Sequence, residues 1–520
     1  MKINIKNIIY SSFLFIFSIS INQYYGYRGV FPIDSFLFFD SGFRLLNGFF
    51  PFKDFWAVTG LTVDVIQAFF FKIFGISWFS YVLHASFLNF LISFSTFYTL
   101  HKFRLNINFC FFYALLTSII AYPIAGTPFP DHHSIIFSLI GLFCFFLHIK
   151  TNLNFYLFFV PIFFALAFLS KQTPSAYIFL IVLAVGLVYL IYNFSIKKIL
   201  LLFLGSSLII IIFSLFFLVN EIPFSSFYKQ YILFPLTIGD SRISEFFFPI
   251  EFNRLITRFK LIHLALLPLI ILIIKNILKN NNYLRQNDFL IQIALILTSW
   301  CLIIHQILTL NQKFVFFIIP ILLGFSHVYY KDIKKNYFIY FLIILGLSST
   351  LYYKISYGDS RKFMELANVN FENHVNAEII DFKLKNLKWI NPNYSGSPND
   401  EVDILKKSIN ILKSDSKNKI LITHYQFIAS LIPDNTFSPN RTYTHDSISY
   451  PKENDEYFED YKKFFINQII NKDIKIIYLI YPLEKNVFIP LLNENCVEEK
   501  KINSMLSSHT IIDCEQLRKN

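Results

Sequence analysis

From about residue 8 to residue 353 the chain is a succession of apolar runs, 15–20 residues each, separated by short polar turns. No other feature constrains the fold as strongly. A bilayer core of about 30 Å is crossed by roughly 20 apolar residues in a helix. A backbone in lipid must also satisfy its own hydrogen bonds, which favours helices. The composition agrees: 55% of residues are hydrophobic, 15% are charged, and the mean hydropathy is +0.50. A soluble domain is nearer a quarter charged. Residues 1–355 therefore read as a polytopic α-helical membrane domain. Residues 356–520 are rich in Lys, Asn, Asp and Glu and have only short apolar runs. They read as a soluble domain long enough to bury its own core.

Eleven helices are expected, at about 8–21, 78–100, 107–122, 134–149, 155–169, 176–193, 199–219, 261–278, 289–309, 314–330 and 337–353. Lys and Arg collect on the cytoplasmic side of membrane proteins. Lys2 and Lys6 precede the first run, so the N-terminus is expected in the cytoplasm and the C-terminal domain outside the cytoplasmic membrane. The first run resembles a signal peptide, but no small-residue cleavage site follows it, so a retained helix is expected. The stretch 61–75, "LTVDVIQAFFFKIFG", is short and amphipathic and suits a helix lying in the interface. With this orientation every inside turn carries Lys or Arg. Arg28, Arg44, Lys53, Lys171, Lys229, Arg242, Arg254, Arg258 and Lys313 fall outside, against that bias. An anionic ligand is one explanation for them. For the loop at 220–258, local pairing with Asp240, Glu245 and Glu251 is the other.

The net charge of +12 needs no nucleic acid, because cytoplasmic loops account for much of it. Cys110, Cys144 and Cys301 fall in expected spans and read as small apolar residues. Cys496 and Cys514 share the tail and could form one disulfide if the tail is exported. Within that tail, "KILITH" (419–424), "KIIYLIYP" (475–482) and "HTIIDC" (509–514) read as strands. The stretch between the first two has a helical period. The alternation predicts a small α/β domain with parallel strands. "NPNYSGSPNDE" reads as a loop.

The first outer loop, "RGVFPIDSFLFFDSGFRLLNGFFPFKDFWAVTG" (28–60), holds Asp34, Asp40 and Asp54 among Arg44 and Lys53. A single short helix from Pro32 to near Gly48 puts Asp40 and Arg44 on one face, four apart, where they can pair. Asp34 then lies about 120° from Asp40 around the helix. It could act as a base toward a nucleophile or cap the helix. Asp54 suits a turn.

Asp34, the segment "RLLNGFFPFKDFW" and the helix ending "FKIFG" together resemble the GT-C superfamily of membrane glycosyltransferases, in its protein mannosyltransferase and aminoarabinose transferase branch. Asp34 stands at that family's first-loop acid, twelve residues before Leu46, with Ser35 where a second acid usually stands. The resemblance covers roughly residues 8–353. It extends to Asp131 in "TPFPDHHS", to Lys171 and Gln172 in "FLSKQTPSAY", and in part to Asn311, Gln312 and Lys313 in "TLNQKFVFFIIPIL". It implies transfer of a sugar from a polyprenyl-phosphate donor to a glycolipid, polysaccharide or protein at the outer face of the membrane. Asp34 and Asp131 would be catalytic. Asp40, Arg44, Lys53, Asp54, Lys171, Gln172, Arg242, Arg254, Arg258, Gln312 and Lys313 would bind substrate. No metal ligand set is identified, although the chemistry leaves room for a divalent metal. His132 and His133 are adjacent and make a poor chelating pair, and His84 and His305 read as packed histidines. A lipid-linked oligosaccharide polymerase or ligase handles the same donors and is the nearest rival. A transporter or flippase would need charged or broken helices near mid-membrane.

Overall fold

The computed structural model describes residues 5–244, 252–309, 314–330, 336–432, 435–444, 448–492 and 494–512. Each apolar run folds as a helix: Ile5–Gly26, Trp78–Lys102, Ile107–Ile120, Pro130–Thr151, Phe155–Ser170, Gln172–Tyr192, Ile196–Val219, Lys260–Lys279, Asn287–Leu308, Ile318–Tyr330 and Asn336–Tyr353. Among the described residues seven stretches are long and apolar enough to cross a membrane. The helices Ile107–Ile120 and Phe155–Ser170 and the stretch Val315–Tyr330 are apolar but shorter. The chain is thus a polytopic helical protein with several helices suited to a bilayer.

It divides into two compact units. One comprises Met1–Gly26, Val82–Leu215 and Ser241–Phe363; the other comprises Tyr27–Tyr81, Phe216–Asp240 and Met364–Asn520. The expected boundary near residue 355 is therefore not a single cut. The loop 28–60 and the stretch after Phe216 belong with the tail.

In the first unit the helix Pro130–Thr151 is central, with 89% of its apolar window buried. It packs against Phe155–Ser170 and Gln172–Tyr192. By contrast, only 6% of the Ile196–Val219 window is buried, leaving that helix a surface suited to lipid.

The second unit is built on a sheet of five strands in the order β4-β3-β5-β7-β6. Before it, β1 (Val375–Asn376) and β2 (Lys388–Trp389) form a small antiparallel ribbon. In the sheet, β3 (Lys419–Ile422) lies parallel to β4 (Thr436–Phe437) and to β5 (Ile476–Ile480). β6 (Val497–Lys501) and β7 (Leu506–Ile511) form an antiparallel pair. β7 lies antiparallel to β5 rather than parallel to it, as the sequence pattern suggested. The turn between β6 and β7 is too short for the crossover that parallel strands need. Asn503 holds it, its Oδ1 accepting from Met505 N at 2.8 Å and Leu506 N at 2.7 Å. Cys496 is disulfide-bonded, whereas Cys110, Cys144 and Cys301 are free. Cys514 lies outside the described residues.

Three sequence expectations change. The loop 391–401 ends in a helix, Pro398–Ser414, capped by the Ser397 side chain with Pro398 at its first position. The described part of the 220–258 stretch is largely helical, with helices at Phe224–Phe227, Phe234–Arg242 and Phe252–Leu255. The first-loop helix is two helices, Pro32–Ser35 and Leu37–Leu46. At the break, Phe36 is fully buried against Trp78, Trp389 and Phe427, with ring centroids 5.6, 5.8 and 4.8 Å away. Tertiary packing of that ring accompanies the end of the first helix one turn after it starts.

Trp56 shows why the loop joins the tail. Its ring lies 5.3 Å from Tyr461 and 6.1 Å from Phe234, inside the core formed with Ile420, Ile422 and Ile477. Its backbone pairs like a strand, Trp56 N donating to Pro439 O at 2.7 Å and Arg441 N donating to Trp56 O at 3.1 Å. The helix Leu61–Phe74 turns Asp64, Gln67 and Phe71 inward and leaves Val65, Phe69 and Ile73 exposed at 40%, 57% and 54%. Those three are spaced i, i+4, i+8, the apolar stripe of an interfacial helix.

Candidate functional site

The first unit gathers Asp131, Lys171 and His305. Pro130 opens the helix Pro130–Thr151, and its ring favours a helical start. Asp131 follows in the first turn, where the helix dipole stabilises a carboxylate. The segment before it is held from several sides. Arg361 donates to the carbonyls of Pro123, Ile124 and Ala125 at 3.1, 3.2 and 3.0 Å. Asn22 donates to Gly126 O at 3.1 Å, and Tyr122 Oη accepts from Phe129 N at 2.9 Å. Gly126 has φ +78, and a Cβ there would meet Gly26 Cα at 2.7 Å.

Lys171 lies between the helices Phe155–Ser170 and Gln172–Tyr192 in extended conformation. Its carbonyl accepts from Ser134 Oγ at 3.1 Å and Ser175 Oγ at 2.8 Å. Its ammonium reaches both oxygens of Asp131, at 2.8 and 2.7 Å. His305, in the last turn of Asn287–Leu308, donates from Nε2 to Asp131 Oδ1 at 2.8 Å. Asp131 and His305 are buried, while Lys171 keeps about a fifth of its side chain exposed. Arg242 lies within electrostatic reach of His305. A buried carboxylate thus fixes an ammonium and an imidazole where four helices end or begin. Both oxygens of Asp131, which the sequence marks as a candidate catalytic acid, are thus held in hydrogen bonds.

A second polar group lies beside it. His133 Nε2 and His84 Nε2 are 2.8 Å apart, and His133 Nδ1 is 2.8 Å from Tyr122 Oη. The adjacent His132 and His133 point to different partners, His132 stacking on Phe314 at 4.7 Å. Among the described residues no three His, Cys, Asp or Glu side chains are grouped as a metal site would need.

The other expected site residues fall as follows. Asp34 is the third residue of Pro32–Ser35, half-buried in the second unit, and its charge acts on Tyr81. The cap position is Phe31, so Asp34 does not occupy it. Asp40 and Arg44 pair as expected, at 2.7 Å, but both are buried, and Arg44 also donates to Ser438 O at 3.3 Å. That geometry ties the loop together and leaves little for a substrate to touch. Lys53 is spent on Glu221 and the Asn220 carbonyl, at 3.3 and 3.0 Å. Asp54 accepts from Phe50 N at 2.9 Å, the expected turn role, and faces Lys472 at 3.6 Å. Lys229 pairs with Asp460 at 2.6 Å, not with the acids of its own loop. Gln172 opens the helix Gln172–Tyr192 half-buried, Arg254 is half-buried and Arg258 exposed. Asn311, Gln312, Lys313, Glu245 and Glu251 lie outside the described residues.

Sequence reasoning missed three groups. His305 stood in an apolar run with no local partner to flag it. Asp64 accepts from Ser41 Oγ at 2.5 Å and pairs with Arg441, and burial pushes its carboxyl up to about 6 against the pull of those partners. Its place among apolar residues three before Gln67 was a usable signal. Glu401 accepts from Trp389 Nε1, Asn391 Nδ2 and Tyr425 Oη at 2.9, 2.7 and 2.7 Å, and burial raises its carboxyl. The chain matches no family model and no curated protein.

Proposed function

We propose that the chain is a membrane glycosyltransferase of GT-C type, moving a sugar from a polyprenyl-phosphate donor to an acceptor at the outer face of the cytoplasmic membrane. The observation that supports this reading is Lys171, fixed by Asp131 and His305 with Arg242 nearby, at helix ends that the charge pattern assigns to the outer side. Charged groups inside apolar helices are costly and tend to be functional. Ammonium and guanidinium groups suit a lipid phosphate. In this reading the acceptor hydroxyl attacks the anomeric carbon and the bond to the phosphate oxygen breaks. A carboxylate takes the hydroxyl proton. Lys171 and Arg242 stabilise the charge that grows on the departing phosphate. Arg254 and Arg258 are further candidates for the same head group.

The test is label transfer by the purified chain in nanodiscs from radiolabelled polyprenyl-phosphate sugars to membrane extracts. Lys171→Met is expected to weaken donor binding by roughly ten- to a hundredfold, with Lys171→Arg recovering part of it. Absence of any sugar release from every donor would overturn the reading. A transporter gains one point in its favour, the His84–His133–Tyr122 chain, two histidines within apolar helices and a tyrosine just past the end of a third. Uptake into proteoliposomes without sugar release would favour it.

A further inference from the structure

One cleft in the second unit uses none of the groups above. It opens at the carboxyl ends of the parallel strands β3 and β5. Leu483 lies three residues after β5. Tyr443 sits over the end of β3, its carbonyl accepting from His424 Nε2 at 2.7 Å. Phe458 opens the helix Phe458–Asn471, which leads into β5. In open α/β sheets ligands bind in the crevice at that edge. The volume is about 370 Å³, at the lower end of the roughly 300–1,000 Å³ of small-molecule sites.

The walls are apolar, with Tyr443, Tyr450 and Phe458 beside Leu483, Val487 and Leu491. The Tyr443 and Tyr450 rings pack 5.8 Å apart at 65° and are buried, so they form a rigid floor, and the half-buried Phe458 ring is the aromatic surface open to the cleft. The rim is polar and uncharged at Thr444, Asn454 and Asn486. Ring faces carry partial negative charge and attract polarised C–H groups. A carboxamide donates and accepts at once, as a hydroxyl does. Lys452 at the rim is balanced by its neighbour Glu453. Glu459 and Asp460 already fill the first turn of Phe458–Asn471, where an anion would otherwise bind. The cleft therefore disfavours phosphate and suits a neutral, polyhydroxylated ring.

We propose that this cleft is a carbohydrate-binding site, and that the sugar it holds is part of the acceptor. Binding is argued from the cleft alone; only its assignment to the acceptor rests on the glycosyltransferase reading. The probes are glucose, galactose, N-acetylglucosamine and their β-linked disaccharides, titrated against the full chain in nanodiscs by calorimetry and saturation-transfer NMR. At least one is expected to saturate. Asn454 has φ +77, a conformation glycine adopts without strain, so Asn454→Gly removes the amide and spares the turn. Combined with Asn486→Ala it is expected to raise the Kd at least tenfold, with hydrogen exchange across 458–471 unchanged. The site is overturned if no saccharide saturates, if the double variant binds like the parent, or if Ala-Ser-Thr tripeptide or inorganic phosphate displaces the sugar. Saccharide binding by a protein that fails every transfer assay supports the site and withdraws only the acceptor role.

Discussion

At the scale of single residues, the chain places charge where lipid and protein surround it and then neutralises it. Asp131 is the clearest case, because an ammonium and an imidazole N–H close on one carboxylate. Removing one member of a buried pair leaves the other uncompensated, at a cost of about 3–5 kcal/mol, whereas replacing both is far cheaper. Lys171→Met is therefore expected to lower the stability of the first unit more than Lys171→Met with Asp131→Asn. Thermal aggregation of the detergent-solubilised variants checks the order, independently of any activity. Lys472 makes a second case. It lies 4.7 Å from the Phe437 ring and 5.2 Å from the Phe49 ring, and burial pushes its ammonium down to about 8, against Asp54. A lysine whose folded pKa is depressed favours the neutral form in the fold. Stability is thus lowest below pH 8 and recovers as pH rises from about 8 toward the unfolded value of 10.5. Protection factors of the amides in the turn 49–54, taken relative to intrinsic exchange at each pH, are expected to rise over that window. Lys472→Met should remove the dependence of that protection on pH over the same window.

At the scale of elements, helix positions were legible because a 15–20-residue apolar run offers the backbone little alternative in lipid. Helix ends were legible where a cap or a proline stood, and the Ser397–Pro398 start of Pro398–Ser414 shows that the signal was present even in a stretch that reads as a loop. The break at Phe36 had no such signal, because burial against Trp78, Trp389 and Phe427 accompanies it. The charge pattern of the turns predicts opposite sides for reporters fused after Lys150 and after Tyr353, inside and outside in that order. Alkaline phosphatase and fluorescent-protein fusions measure this directly, and matching sides would remove one helix from the scheme. The exposed stripe Val65, Phe69 and Ile73 is expected to dip into the head-group region. Spin labels at Phe69 should show lipid contact that labels at the exposed Asn454 lack.

At the scale of the whole molecule, the second unit is assembled from three separated parts of the chain. A tail of 364–520 expressed alone would lack Trp56 and Phe234, which complete its core. It would also leave Arg441 without Asp64. Such a fragment is expected to be poorly folded in urea titration, and far less cooperative than one that carries residues 27–81 as well. Within the full chain Trp56→Ala is expected to cost about 3–5 kcal/mol, the usual range for a buried aromatic, read as faster proteolysis of the tail. Cooperative unfolding of the tail alone would mean that the loop only decorates a finished domain.

The sequence by itself determined the class of solvent, the helices that meet it, the parallel β3 and β5 strands of the tail and the Asp40–Arg44 pair. These follow from periodicity, hydropathy and spacing within a few residues, which act locally. Tertiary structure alone decided that Asp131 meets His305 across 174 positions and Asp64 meets Arg441 across 377. It also decided that Trp56, in the loop 28–60, belongs to the core of the tail. Pairings of that kind depend on which faces are buried together, and no local pattern encodes the partner.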